Sequence, residues 1–397
     1  MQGVKDQEIY IVAPLRTPIG KFGGTLASLT AADLGTHVVK ATLERSSVDP
    51  ARVDEVIFGN ARQAGVGPNV ARQITIRSGL RHELPAYTVN QACGSGMRAI
   101  INAADQIRLG NASVAVAGGT ESMSNTPYLL TRVRWGLRMG DGEVIDGMVR
   151  DGFMCPLADE MMGSTAETLA DQYGISRQEQ DEYAVESQKR AARAEAEGWF
   201  SSEIVPVTIQ SKKGNIVFSR DEHARPDASV ASMAKLPPVF RDSGTVHAGN
   251  SSGITDGAAS MIVASGAAVR ELGLEPAARI VAHAQAGVDP KVMGIGPVPA
   301  TRKLFEKTGM SMGDMDLVEL NEAFAAQVLA CDRDLKFDRD KLNVHGGAIA
   351  LGHPIGATGA RIVTTLVHAM RTHDAKLGLA TLCISGGMGL SMVLERA

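Results

Sequence analysis

Short apolar runs closing on glycine or asparagine alternate along the chain with stretches whose apolar residues recur every three or four positions. This is the pattern of strands buried on both faces, each leading into an amphipathic helix. Glu8-Ile-Tyr-Ile-Val-Ala13 predicts an opening strand, reached from a polar start without the apolar stretch of a signal peptide. A helix end, a polar turn and a short strand then run from Leu43 to Asn60-Ala61, and the same order returns from Phe305 to Asn321-Glu-Ala323. Asn60 precedes Cys93 by 33 residues, and Asn321 precedes His353 by 32. After Cys93 a helix is predicted with Ile100, Ala103, Ala104 and Ile107 in phase, then a strand over residues 112–119. After His353 a helix with Ile362, Val363, Leu366, Val367 and Met370 in phase leads to a strand over 379–387.

Two similar βαβ-rich halves are therefore expected, an α/β architecture. Residues 120–247 are more charged and irregular and read as an insertion, leaving 1–119 with 248–272 as the first half and 273–397 as the second. Within the insertion, Ser164-Thr-Ala-Glu167 and Ser176-Arg-Gln-Glu179 predict helix N-terminal capping boxes, and 182–197 predicts a surface-facing helix.

Composition narrows the function classes. With 44% hydrophobic and 21% charged residues the chain is globular. Forty Lys and Arg against 44 Asp and Glu give 40 − 44 = −4, which offers no general field for nucleic acid or an anionic membrane. Glycine and charge interrupt every apolar segment before about 18 residues, so no membrane span is expected. The four cysteines, Cys93, Cys155, Cys331 and Cys383, show neither C-x-x-C nor zinc-ligand spacing. Reduced thiols in a cytoplasm, and no metal, are the expectation.

Two of these thiols and one histidine carry candidate chemistry. Cys93, in Asn90-Gln-Ala-Cys-Gly-Ser-Gly96, is placed between a strand and a helix, where helix N-terminal amides favour a thiolate and small neighbours admit a substrate. His353 is bracketed by glycines in His345-Gly-Gly-Ala-Ile-Ala-Leu-Gly-His353-Pro-Ile-Gly-Ala-Thr-Gly359, in the repeat-equivalent neighbourhood of Cys93. It is a candidate base, and the repeat predicts that the two loops meet. Cys383, in Leu382-Cys-Ile-Ser-Gly-Gly-Met-Gly389, is expected at the carboxyl end of the last strand, the edge where open α/β sheets bind ligands.

With these blocks in order, joined by Gly118-Gly-Thr-Glu-Ser-Met123, Ala248-Gly-Asn-Ser-Ser-Gly253 and Asn321-Glu-Ala-Phe324, the chain resembles the thiolase superfamily over essentially its full length, most closely its acetyl-CoA acetyltransferase branch. The resemblance implies stacked mixed sheets in two similar halves, with an inserted loop domain over the substrate. It implies reversible acyl transfer between coenzyme A thioesters: Cys93 becomes acetylated by acetyl-CoA with His353 accepting its proton, and Cys383 removes the α-proton of a second acetyl-CoA, giving acetoacetyl-CoA and CoA. It assigns the enolate oxygen to His353 and a water held by Asn321, and the tetrahedral oxyanion to the Cys93 and Ser385 amides. Many relatives carry glycine at the Ser385 position, so the local turn is one feature to check. Arg225, Ala248, Ser252, Met162, Met293, Ala323 and Phe324 fall at substrate or CoA-lining positions. No tightly bound cofactor, no nucleic acid and no membrane is implied, and relatives form homodimers or homotetramers, with residues 131–138 a candidate contact.

Three other readings stay in view. A ketoacyl synthase normally has a second histidine where Cys383 stands. A degradative thiolase would take longer or dicarboxylic 3-ketoacyl-CoAs; Met161, where short-chain relatives often carry histidine, leans that way. A non-catalytic acyl-CoA-binding protein would be expected to lack one of Cys93, Asn321, His353 or Cys383.

Overall fold

A computed structural model describes residues 7–210 and 214–397; residues 1–6 of the expected first half and 211–213 of the expected insertion lie outside them. The first half contributes β1 (Ile9–Arg16), α1 (Ala31–Ser46), β2 (Glu55–Gly59), α2 (Val70–Arg77), β3 (Ala86–Val89), α3 (Ser95–Arg108), β4 (Val114–Ser122) and, after the inserted segment, β5 (Thr255–Ser265). The second contributes β6 (Pro276–Gly287), α6 (Pro297–Thr308), β7 (Leu317–Leu320), α7 (Ala325–Leu335), α8 (Ile355–Thr372), β8 (Leu377–Ile384) and β9 (Met388–Arg396). Between them lie α4 (Met162–Tyr173) and α5 (Arg177–Ala196).

The expected halves are present, and their sheets are joined. The strand order is β7-β8-β9-β6-β1-β5-β4-β2-β3, with the β1–β6 pairing as the seam. Pairing is parallel for β2 with β3 and β4 and for β7 with β8, and antiparallel elsewhere along the path, so the sheet is mixed. Strand alternation sorts the core into layers. Ala115, Met261, Leu382 and Met392 face one shared core with α3 and α8. Val116, Ile262 and Phe58 face α1 and α2, whereas Leu379 and Val393 pack with Leu304 and Val328 of α6 and α7. One helix from each half thus fills the middle layer. Their contact needs bare backbone: a Cβ on Gly96 would strike the Ala360 amide, and one on Gly359 the Met97 amide.

The register makes the repeat explicit. Gly59 pairs with Gly119 and Leu320 with Thr381, so Asn60 corresponds to Asn321, and Glu121 to Cys383.

Four local expectations change. The strand predicted over 112–119 extends to Ser122, because Thr120 and Glu121, both fully buried, find hydrogen-bond partners in the fold. Cys383 lies next to the end of the penultimate strand, not the last, since Gly386 and Gly387, at φ 85° and 86°, reverse the chain into β9. Ser176 caps α5 with the predicted box. Ser164 does not cap: α4 starts at Met162, and Glu167 instead accepts from the Thr245 and Val246 amides. Finally, α5 is half buried. Its Tyr183 and Ser187 donate to Glu322, which also accepts from the Ile349 amide. The inserted helix therefore braces the loop that leads to His353.

Candidate active site

Four loops meet where the ends of β3, β7 and β8 approach the start of α8. After β3 the chain turns through Ala92 at φ 44°. The Ser95 hydroxyl fixes this turn, donating to the Ala92 carbonyl at 2.6 Å and accepting from the Gln91 amide at 2.9 Å. From the other half, the His353 amide donates to the Gly253 carbonyl at 3.1 Å and the Ser252 amide to the Ala323 carbonyl at 3.0 Å. Glu121 joins the halves: its carboxylate accepts from Asn60 Nδ2, from the Ala61 and Arg62 amides, and from the Gly356 amide in the first turn of α8. At the position corresponding to Cys383, the first half thus carries a structural clasp.

These loops line a small cavity into which Cys93, His353, Cys383 and Ser385 all face. Met162, Met293, Ser252, Ala323 and Phe324 complete much of its wall. Larger surface hollows exist, such as one bordered by Val12, Arg45 and Arg371, but it is the smaller cavity that brings thiols together with an imidazole. Three expected residues do not line it. Asn321 is fully buried beside it, while Arg225 and Ala248 are exposed. Met161 likewise stays outside the wall, in a short strand pair with Met154. Arg62, Gly152, Phe153 and Ile355 line the cavity without having been singled out in the sequence. Arg62 had one available signal, its place directly after the repeated Asn60-Ala61. Ser385 needs no left-handed backbone, which is carried by Gly386 and Gly387, so serine is tolerated at this turn.

Electrostatics divides the roles. The Ser385 and Cys93 amides hydrogen-bond toward the Cys93 sulfur, and these together with the Arg62 charge favour a thiolate. Burial outweighs them and raises the Cys93 thiol above the ordinary cysteine value. The amides act in the direction expected for a helix terminus, but desolvation in the cavity costs more than they return, so a base is needed to draw off the thiol proton. Cys383 is pushed well above the usual range, first by burial and then by Cys93 nearby, so the pair does not readily ionise together. His353, 6% exposed, is held down to about 3 by burial and by Arg361 and Arg62, and is neutral at pH 7. Thr358 donates to the Pro354 carbonyl at 3.0 Å and lies 2.6 Å from His353 Nδ1. With its only proton so used, Thr358 accepts from Nδ1–H, which leaves the Nε2 lone pair free to accept a proton.

A pH signature follows. The free enzyme holds a thiol beside a neutral imidazole, so iodoacetamide labelling of Cys93 should rise about tenfold per unit between pH 6 and 8. A flat rate across that window would reveal a resting thiolate–imidazolium pair and overturn this assignment.

Among the described residues, no group of three or more His, Cys, Asp or Glu is arranged to hold a metal ion, and no helix is long and apolar enough to cross a membrane. All four cysteines are free.

Comparison with known proteins agrees with this geometry. The description "Thiolase, N-terminal domain" matches residues 9–267 and "Thiolase, C-terminal domain" residues 274–396. The acetyl-CoA acetyltransferase of Escherichia coli K12 is 52% identical over 387 residues, 97% of this chain and 98% of that protein. That of Cupriavidus necator is 50% identical over 390 residues, 98% of this chain and 99% of that one. Among solved structures, the Bacillus anthracis acetyl-CoA acetyltransferase superposes with TM-score 0.96 at 45% identity over 98% of this chain and 99% of its own. Human mitochondrial 3-ketoacyl-CoA thiolase gives 0.96 at 44%, with the same coverage of both chains. With both domain descriptions matched in order across nearly the whole chain and a two-thiol, one-imidazole cavity at the junction of its halves, this protein is an enzyme of the thiolase family.

Proposed function

We propose that this thiolase catalyses the reversible condensation of two acetyl-CoA molecules to acetoacetyl-CoA and CoA through an acetyl-Cys93 intermediate. The observation that carries the reading is the convergence of Cys93, Cys383 and His353 in one cavity, with the Cys93 and Ser385 amides at the Cys93 sulfur. His353 Nε2 takes the Cys93 proton, and the thiolate attacks the acetyl carbonyl. The tetrahedral oxyanion is held by the two amides. Departing CoA thiolate takes the Cys383 proton and leaves as free thiol. Cys383 thiolate then removes a methyl proton from the second acetyl-CoA, and the carbanion attacks acetyl-Cys93. Collapse expels Cys93, which recovers its proton from His353. The enolate oxygen is stabilised by protonated Nε2 and by a water on Asn321, whose side-chain oxygen and nitrogen are both buried without a protein partner.

The substrate enters beneath residues 120–247, its pantetheine along Ala248, Ser252, Met162 and Met293, with Arg225 at the outer rim. Stitching of residues 250–252 to Ala323, Phe324 and Ala325 supports that path. We further infer a homodimer or homotetramer in a reducing cytoplasm. A hairpin of Tyr128–Leu129 with Ile145–Asp146 presents Trp135, 87% exposed, and Met139, 99% exposed, in keeping with an assembly arm at the expected 131–138 segment.

Mixing with acetyl-CoA and peptide mass analysis should place one acetyl group on Cys93. Acetylation confined to Cys155 or Cys331, both buried, would sink the mechanism. A second reading, cleavage of longer 3-ketoacyl-CoAs, draws on the likeness to human 3-ketoacyl-CoA thiolase. It is tested by a chain-length ladder in the thiolysis direction.

A further inference from the structure

Arg62 sits in the loop after β2 and is 4% exposed, yet it lines the cavity shared by Cys93 and His353. Its guanidinium lies over the Phe153 ring at 5.5 Å, and one terminal nitrogen donates to the Asp151 carbonyl at 3.2 Å. The other terminal nitrogen and Nε are buried with no partner. Glu121, the neighbouring carboxylate, is already engaged by four other N–H groups and makes no bond to the guanidinium. Gly152 leaves the space that the guanidinium fills, since a Cβ there would collide with it. A buried cation with open donors is costly to hold, and a carboxylate presents two oxygens that match its fork.

The cavity has two apolar walls. One groups Met162, Met293 and Ala323 with Cys383; the other groups Phe153 and Ile355 with Cys93. Arg62 adjoins the second, so an acyl group on Cys93 would run along apolar side chains toward a cation. We propose that Arg62 binds the terminal carboxylate of an ω-carboxyacyl group carried on Cys93, making 3-ketoacyl-CoAs of dicarboxylic acids substrates of this enzyme. In thiolysis His353 takes the Cys93 proton, the thiolate attacks the 3-keto carbon and the C2–C3 bond breaks. The acetyl-CoA enolate takes its proton from the Cys383 thiol. CoA thiol then gives its proton to the Cys383 thiolate and attacks the acyl enzyme, releasing ω-carboxyacyl-CoA, while the departing Cys93 recovers its proton from His353.

The inference rests on the thiolase reading, and the test separates the two. Thiolysis of 3-ketoacyl-CoAs ending in a carboxylate is compared with methyl-terminated analogues of equal length, with one to four methylenes before the terminus, alongside acetylation by acetyl-CoA. In the wild type, at the best length, kcat/KM should favour the carboxylate about 100-fold. Arg62→Leu should bring that ratio to near one, and Gly152→Ala, which displaces the guanidinium, should lower it too. Arg62→Lys should keep part of it. A wild-type preference for methyl termini at every length overturns the proposal, as does a ratio unchanged in Arg62→Leu with both rates lowered equally, which would leave Arg62 only as support for the Cys93 thiolate. If Arg62→Leu does not fold, the wild-type ratio and Gly152→Ala decide. Absence of any acyl-Cys93 would instead defeat the thiolase mechanism itself.

Discussion

Cys383→Ala is expected to retain acetylation of Cys93 by acetyl-CoA while losing acetoacetyl-CoA formation by about 10⁴-fold, the upper range for removing a general base. The asymmetry comes from what each half-reaction must break. Acylation exchanges one thioester for another, and a CoA thiolate departs without a positioned acid, so the burst should slow by only about tenfold. Condensation requires a C–H bond to break, and in this cavity Cys383 is the second thiol facing the substrate, at the carboxyl end of β8. Deuterium exchange into the acetyl methyl group should vanish with condensation. The paired measurement is burst acetylation and turnover on one preparation. Loss of both in a folded protein, or normal condensation, would show that Cys383 is not the carbon base.

The large features of the fold were legible because they follow from periodicity. The matched spacings from Asn60 to Cys93 and from Asn321 to His353 announced two related halves, and the register of β2 with β4 and β7 with β8 bears this out. What stayed hidden depends on partners distant in sequence. Glu121 gave no sign that it would clasp Asn60 and Gly356, because four N–H groups from two segments distant in sequence meet it only after folding. The Ser164 box failed because Glu167 is drawn away to residues 245 and 246. Helix α5 looked like a solvated surface because its charged residues hide a periodic stripe of Gln180, Ala184, Ser187, Ala191 and Ala194 that the second half covers.

The site was legible where chemistry clusters locally and obscure where burial decides. Cys93, His353 and Cys383 each stand in a glycine-marked loop, and the cavity collects all three. The net protonation balance of Cys93 was not legible because helix-end amides are visible in sequence and desolvation is not. Arg62 was overlooked for the same reason: an arginine beside a turn reads as a solvated charge until Gly152 and Phe153 are seen to enclose it.

His353→Ala is expected to reduce turnover by about 10⁴-fold in both directions, with kcat falling far more than KM rises. The proposed mechanism places two demands on one nitrogen. In acylation Nε2 must accept the Cys93 proton, and it can because the imidazole is neutral and its other nitrogen is committed to Thr358 at 2.6 Å. In condensation the same nitrogen, now protonated, donates to the enolate oxygen, an oxyanion contact worth about 10²–10³-fold by itself. The raised Cys93 thiol makes the first demand severe, since little thiolate exists at pH 7 without a base. His353→Asn separates them: an amide N–H can donate to an enolate but cannot take a proton from a thiol. Methyl deuterium exchange should therefore recover partly in the asparagine variant relative to alanine, while Cys93 alkylation and acetylation stay slow in both. Asn321→Ala should show the reverse, with Cys93 labelling preserved and exchange lowered. Equal loss of labelling and exchange in all three variants would mean that His353 and Asn321 act only by holding the cavity together, and near-normal turnover in His353→Ala would remove the imidazole from the reaction altogether.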